Sequence, residues 1–410
     1  MSNILVIGGG FAGVWSAAAA VRVARQAGVP ETELSVTLVA SGDDLVIRPR
    51  LYQADPDTMR VPLDRVLGPI GVRRLAATVT DIDTRARRVT AVERDGRPTE
   101  LSYDRLVLAS GSQLIRPDLP GAEHLHNVDT LPAAAALQAH LRQLPRRPEG
   151  PGRFTAVVVG AGFTGLEVAT ELVERLRSVA ESVGAADAVR VVLVEREDVV
   201  GIELGAGPRP DIERALAELG VEKRLGVGVA GVGPDGVTLS DGDELPAATV
   251  VWTAGVLASP LTAKIPAARD RLGRLEVDEY LRVVGVPEVY AAGDTAAAVA
   301  EEGHHVMQSC QHAGPQGRFA GHNVAADLLG LPPHRFEPDP YVTCLDLGAA
   351  GAVFTKGWDR TVELTEAEAK QRKRQVNEVW IYPPVDDAEE ILRRADYRVS
   401  TRQPYAPLST

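Results

Sequence analysis

Thiols are scarce in this sequence: Cys310 and Cys344 are the two cysteines among 410 residues. Their wide separation excludes a zinc ribbon, a Cys-x-x-Cys redox pair and a disulfide scaffold, and it suits a reducing compartment. Long apolar runs are missing too. No stretch approaches the roughly 18 consecutive apolar residues of a spanning helix. The apolar opening, residues 3–7, runs straight into glycines with no basic residue before it. That is not the layout of a signal peptide, so the expected location is the cytoplasm. Basic charge is in deficit: 44 Lys and Arg stand against 56 Asp and Glu, a formal charge of -12. This balance speaks against nucleic acid and anionic membranes as partners. Aromatic residues make up only 4%. What remains is ordinary globular material, 45% hydrophobic and 24% charged, long enough for two to three domains.

An internal repeat organises the chain. Residues 6–17 read VIGGGFAGVWSA and residues 158–169 read VVGAGFTGLEVA. Each follows a short β-branched run and opens an Ala-rich stretch of helical character. The first unit reads strand 4–7, turn 8–13, a helix ending near Gln26, then strand 35–39. The second reads strand 155–159, turn 160–165, a helix ending near Val183, then strand 190–194. Strand–helix–strand units predict parallel sheets with right-handed crossovers. The expected fold class is α/β, with two Rossmann-like dinucleotide-binding domains and a small C-terminal region. Residues 75–93 and 226–239 alternate like small β-insertions, and the Pro/Arg/Gly-rich residues 144–153 read as a linker. Four prolines in residues 331–341 open a C-terminal piece. It holds a strand-like stretch, 341–354, and a charged run, 363–374, read as a solvated helix face.

Gly8, Gly10 and Gly13 form G-x-G-x-x-G between a strand and a helix, and Gly160, Gly162 and Gly165 repeat it. The first glycine permits a tight turn, the second lets a pyrophosphate approach the backbone, and the third lets helix and strand pack closely. Backbone N–H groups and the positive helix end then face the phosphates. One copy also serves ordinary packing, but two in matching settings predict two dinucleotides. An acidic residue is expected at the end of the second strand, for the adenosine ribose hydroxyls. Glu195 stands there in the second unit. Its carboxylate would repel a 2′-phosphate, which favours NADH. Arg196 beside it weakens that exclusion, so NADPH stays open; the plain alternative is a surface glutamate ending a strand. The first unit departs from the rule, with Ala40 in that place and Ser41, Asp43 or Asp44 as substitutes.

Two later pieces narrow the reading. Residues 103–112 form an apolar strand ending in Ala109-Ser110-Gly111, and residues 289–294 form another ending in Gly293-Asp294. With these the chain resembles the two-dinucleotide flavoproteins, and within them the type II NADH dehydrogenases. The shared stretches are 48–53, 162–167, 251–256 and 311–323, and the likeness spans residues 2–351. The resemblance implies FAD in the first unit, held at Gly8, Gly10, Phe11, Ala12, Gly13, Arg48, Val79, Ala109, Ser110, Gly111, Gly293 and Asp294. The Asp294 carboxylate would hold ribitol hydroxyls. It implies NADH in the second unit, at Gly160, Gly162, Phe163, Gly165, Glu195 and Gly255. A hydride would pass from NADH to the flavin, and electrons onward to a quinone-like or other small acceptor. Glu167 would face the nicotinamide as anchor or proton relay, and Gln311 would border the flavin or the acceptor cavity. The plain alternatives are a helix-surface salt bridge, a helix-surface glutamine and, for Asp294, a helix N-cap. The implied division is 1–122 with 281–330 for FAD, 123–280 for NAD(P)H, and 331–410 as a C-terminal region.

The chain also departs from that family. Quinone-reducing members carry Ala-Gln, three residues, then Gln-Gln-Gly. Here Gln311, Gln316 and Gly317 match, and Pro315 replaces a glutamine. Amphipathic C-terminal membrane helices are not evident, so membrane attachment is expected to be weak or absent. The competing readings are an oxidase or a biosynthetic flavoenzyme with a dedicated metabolite, a reductase of a small iron–sulfur protein, and a non-catalytic NADH-responsive module. A homodimer is left open. His304, His305, His312 and His322 lack ligand spacing, and no metal is expected. His312 reads as a packing residue or as a proton donor near neutral pH. Trp380 and Tyr382 read as tail anchors or as lining of an acceptor pocket.

Overall fold

The apolar run before each glycine turn becomes the central strand of a parallel sheet, because a strand covered on both faces must be apolar on both. The computed structural model describes residues 2–301 and 303–400. In the first sheet, Ser2–Ile7 lies between Leu34–Ala40 and Arg105–Leu108, parallel to both. Arg73–Asp83 extends the sheet beyond Leu34–Ala40 and then folds back antiparallel through Arg88–Glu93 and Pro98–Ser102. The opposite edge is Val289–Ala291, a strand that arrives only after the whole second unit. The second sheet is parallel, in the order Glu222–Arg224, Arg190–Val194, Thr155–Val159, Thr249–Trp252. An antiparallel insertion, Val229–Gly233, Gly236–Leu239 and Glu244–Pro246, flanks it. The chain is α/β with two Rossmann-like sheets.

The two halves are tied by a short antiparallel pair, Ser112–Leu114 with Val256–Ala258. The helix Phe11–Gln26 packs backbone-close against the late helix Cys310–Leu329. A Cβ on Gly317 would meet Ala12 O at 2.4 Å, and one on Gly321 would meet Ser16 O at 2.1 Å. Glycine is what allows these helices to approach so closely.

Four local expectations need correction. Residues 144–153 do not form a free linker: Leu144 is fully buried, Arg153 donates to Leu144 O at 3.0 Å, and Arg147 reaches Ala248 O. Residues 341–354 form two strands, Val342–Asp346 and Ala352–Lys356, joined by the 3₁₀ turn Gly348–Ala350. The charged run 363–374 is not simply a solvated face. It begins in strand Thr361–Thr365 and continues as helix Glu366–Gln375, whose inner side buries Ala369 and Lys373. Asp294 caps no helix, since a 3₁₀ turn, Gly293–Thr295, passes directly into strand.

Candidate functional site

The repeat seen in sequence recurs as geometry. Gly8 N–H donates to Val39 O at 2.9 Å, and Gly160 N–H donates to Val194 O at 2.9 Å. Gly8 has φ +120° and Gly160 φ +103°, a region that disfavours a side chain. Gly13 and Gly165 sit behind the turns, where a Cβ would come within 1.9 Å of Gly8 O and 1.7 Å of Gly160 O. Gly10 and Gly162 face outward. Among the described residues nothing lies within 4 Å of a Cβ built on Gly10, and only Glu203 Oε2, at 3.7 Å, is near one built on Gly162. Both glycines cap their helices in extended conformation without a side-chain cap bond. Each helix end therefore offers N–H groups to open space, the setting a diphosphate fits.

A single cavity of about 2910 Å³ takes in both turns. Of the sequence-predicted residues it is lined by Gly8, Gly10, Phe11, Ala12, Arg48, Val79, Ala109, Ser110, Gly111, Gly293 and Asp294. From the second unit it is lined by Gly160, Gly162, Phe163, Glu167, Glu195 and Gly255, and from the late helix by Gln311. Asp294 accepts from the Ser112 hydroxyl at 2.6 Å. Arg48 donates to Ser112 Oγ at 2.8 Å, pairs with Asp129, and lies 3.6 Å from Asp294. Burial raises the Asp294 carboxyl, against the hydrogen bond from Ser112 and the charge of Arg48. Gln316, fully inside the late helix, accepts the Gly293 N–H at 3.1 Å and so props this turn. The buried Ser110 Oγ has no partner among the described residues. Such polar atoms in an open cradle fit a hydroxyl-rich cofactor tail.

The ends of the second strands differ. Glu195 folds back over its own turn. Oε2 accepts from Ala161 N–H at 2.6 Å, and Oε1 accepts from Arg196 N–H at 2.7 Å and Glu197 N–H at 3.2 Å. In the first unit Ala40 closes the strand, and the nearby cavity lining is Ser41, Gly42 and Asp44. Asp43 is turned away, held by Arg74 and Arg94, whose contacts lower its carboxyl.

Glu167 is not on a helix surface. It is 4% exposed and pairs with Lys373 Nζ at 2.7 Å while accepting from Asp346 N–H at 3.1 Å. Lys373 also donates to Cys344 O at 2.9 Å. Asp346 in turn takes Lys370 and the Tyr52 hydroxyl. Burial pushes the Glu167 carboxyl up to about 7, against the pull of Lys373. Burial works against the Lys373 charge, and Glu167, Cys344 and Asp346 together outweigh it, leaving the ammonium raised. Sequence reading missed Lys373, Asp346 and Tyr52. The only local signal was Ala369 and Lys373 four residues apart on one helix face.

Gln311 is tied to the backbone of the C-terminal hairpin. With its amide oriented to suit its neighbours, it donates to Val342 O at 2.6 Å and accepts from Val342 N at 3.2 Å. Pro315, inside the same helix, removes the N–H that would bond the Gln311 carbonyl. His312 lies outside the cavity lining and stacks on Tyr341 at 5.3 Å. Burial depresses its imidazole to about 4, so it is no proton donor near neutral pH. Trp380 lines the cavity from the π-helical turn Val376–Trp380, whereas Tyr382 is an anchor, receiving Arg50 at 2.8 Å. Burial raises the thiols of Cys310 and Cys344 to about 11, which makes neither a ready thiolate. Among the described residues no cluster of His, Cys, Asp and Glu could hold a metal ion.

Two glycine cradles on separate parallel sheets, opening into one cavity, define a flavin- and pyridine-nucleotide-dependent oxidoreductase. The family model for the pyridine nucleotide-disulphide oxidoreductases matches residues 2–317, and the chain belongs to that family. It is 48% identical over 404 residues to an NADH dehydrogenase-like protein of Mycobacterium tuberculosis (strain CDC 1551 / Oshkosh), covering 98% of this chain and 100% of that one. It is 28% identical over 364 residues to the demethylphylloquinone reductase of Synechocystis sp., covering 86% of each. The solved structure of NDH2 from Plasmodium falciparum in complex with NADH matches with a TM-score of 0.75 at 12% identity, over 100% of both chains, a likeness of fold. The chain is thus an enzyme of the NADH dehydrogenase-like kind, and membership implies FAD and NAD(H).

Proposed function

We propose that the enzyme binds FAD at the first cradle and NADH at the second, and passes electrons to a quinone-class acceptor. The observation that carries this reading is the continuity of the cavity: both cradles and the buried Glu167–Lys373 pair line one space. When bound, the flavin supplies the two-electron chemistry between NADH and acceptor.

The chain supplies the rest. The helix ends at Gly10 and Gly162 bind the two diphosphates. Asp294, steadied by Ser112 and Arg48, accepts hydroxyls of the flavin's ribityl chain. Glu195 keeps lone pairs toward the adenosine ribose and repels a 2′-phosphate, so NADH is preferred over NADPH. The Glu167 carboxyl, raised by burial to about 7, can take up or release a proton near neutral pH, and Lys373 fixes its orientation. Residues 1–122 with 281–330 form the flavin part, 123–280 the nucleotide part, and 331–410 a C-terminal region. Among the described residues no helix is long and apolar enough to cross a membrane. We assign the enzyme to the cytoplasm, with weak membrane attachment at most. The deciding experiment is anaerobic reduction of the purified holoenzyme by NADH, followed by mixing with a panel of acceptors. Flavin bleaching by NADH and rapid recovery with quinones supports the reading. Bleaching with no recovery by any quinone assigns a different acceptor.

A further inference from the structure

The two cradles differ in what faces the diphosphate. The second glycine of each turn is bare because a diphosphate approaches on the side where a Cβ would stand. At Gly10 that side holds no described atom within 4 Å, whereas at Gly162 a carboxylate oxygen, Glu203 Oε2, stands 3.7 Å from the Cβ position. Glu203 is exposed, and it lines the shared cavity together with Gly162. Among the described residues its carboxylate takes part in no hydrogen bond and no ion pair, so it is not spent on holding the fold. The backbone beneath it is fixed from two sides. Gly201 N–H donates to Ala161 O at 2.9 Å, which ties the 3₁₀ turn Ile202–Leu204 to the glycine turn. Arg360, 6% exposed, donates through Nη2 to Glu203 O at 3.2 Å, and its guanidinium lies 4.4 Å from the centre of the Tyr341 ring. Arg360 has φ +59°, a left-handed conformation unfavourable to a residue with a side chain, and a Cβ on Gly207 would meet its carbonyl oxygen at 2.5 Å. The fold thus pins the Glu203 backbone beside Gly162 and leaves the side chain free to swing.

A carboxylate in that place opposes what the cradle attracts. The helix end favours negative charge, and a diphosphate seated there brings its own charge close to that of Glu203. Arg360 does not neutralise the carboxylate, because its contacts go to the Glu203 carbonyl and the Tyr341 ring. We propose that Glu203 guards the second cradle. Its side chain stands in the approach to Gly162 and swings aside when the coenzyme's diphosphate seats. Its charge keeps NADH and NAD⁺ loosely held, so that the spent coenzyme leaves at each turnover. The contrast with Gly10 suits the duties of the two ligands. A flavin stays through every cycle and gains from an unopposed seat, whereas a nicotinamide coenzyme exchanges once per cycle. The inference rests on the reading above that NADH binds the second cradle, and it adds a residue that sets the strength of that binding.

The test is calorimetric titration of the oxidised, FAD-loaded enzyme with NAD⁺ and with ADP-ribose, native and Glu203→Gln. Glutamine keeps the size and removes the charge. Both dissociation constants are expected to fall roughly tenfold in the variant, the effect of removing one like charge near the diphosphate at a partly solvated site. The gain should shrink as salt rises from about 50 to 500 mM, because an exposed charge is screened. Competitive inhibition by adenosine, which carries no phosphate, should stay the same. Unchanged binding of ADP-ribose overturns the proposal. Weaker binding overturns it too, and would make Glu203 a ligand of a ribose hydroxyl. Equal tightening of adenosine overturns it as well, because the charge would then not be acting on the diphosphate. The flavin spectrum of the variant reports whether the first cradle is intact; should Glu203→Gln lose its flavin, Glu203→Ser takes its place with the same expected signs. A native enzyme that binds neither ligand and whose flavin NADH does not reduce defeats the reading of the second cradle itself; native binding with no tightening in the variant defeats only the guard.

Discussion

The two glycine-turn units share a backbone and part company in the side chains around it. Their turns match, with the same 2.9 Å bond from the first glycine and the same extended cap at the second. At the end of the second strand one unit carries Glu195, folded across its turn, and the other carries Ala40. The shared part is what any diphosphate needs, whereas the differing part stands where an adjoining sugar would be read. Position in the chain adds a second contrast. The second sheet is built from one continuous stretch, whereas the first is completed only by Val289–Ala291 and its Gly293–Asp294 turn. The first unit is therefore completed by a segment from far along the chain.

The strongest way to break this comparison is to fill each cradle from behind. Gly13→Ala should leave a protein without flavin, read from its visible spectrum, because a Cβ cannot stand 1.9 Å from Gly8 O. Gly165→Ala should keep the yellow colour and slow flavin reduction by NADH about 100-fold, the effect of a few kcal/mol of overpacking. Equal flavin loss in both variants would mean the units are not separable.

The difference at the strand ends gives the next effect. Glu195→Gln should cut the preference for NADH over NADPH about tenfold, measured by stopped-flow reduction with each coenzyme. An unaltered preference would hand the discrimination to Arg196 or a neighbour.

Glu167 belongs to only one of the two repeats; Trp15 occupies its place after the first turn. Acceptor reduction by the native enzyme is expected to fall as pH rises through about 7, when this carboxyl loses its proton. In Glu167→Gln that descending limb should vanish from the pH profile. The sign for stability follows from the same shift. The folded state binds this proton more tightly than the unfolded chain, so the carboxyl's contribution to stability is largest at low pH. It declines between the ordinary carboxyl value of 4.5 and about 7. Thermal melting of native and variant protein across that window checks it, since the variant should lose this part of the pH dependence.

The smallest expected effect is the reverse exchange. Ala40→Glu restores the missing acid to the first unit and should tighten FAD by less than about tenfold, measured as the flavin dissociation constant. A loss of FAD instead would show that the pocket beside Gly9, where a Cβ would already lie 3.0 Å from the Ala40 methyl, has no room for a longer side chain.

Much of this was legible in sequence because it is local. Glycine spacing, β-branched runs and strand-ending acids act within a few residues, so the two cradles and Glu195 could be read directly. The role of Glu167 could not. Its partner Lys373 lies 206 positions away, inside a run of charges that looks solvated when read alone. His312 reads in sequence as a candidate titrating near neutrality, yet burial depresses its pKa, and Gln311 is occupied by the backbone of a hairpin from another part of the chain.

By itself the sequence determined the α/β class, the two dinucleotide turns and the absence of a cysteine pair near the first of them, because each depends on backbone freedom and composition at one place. Only the tertiary structure decided that both turns open into one cavity, that Glu167 is buried against Lys373, and that Arg318 and Arg394 flank Trp15. Burial and charge pairing are set by which distant segments come to lie together, and that is a property of the packed chain rather than of any stretch of it.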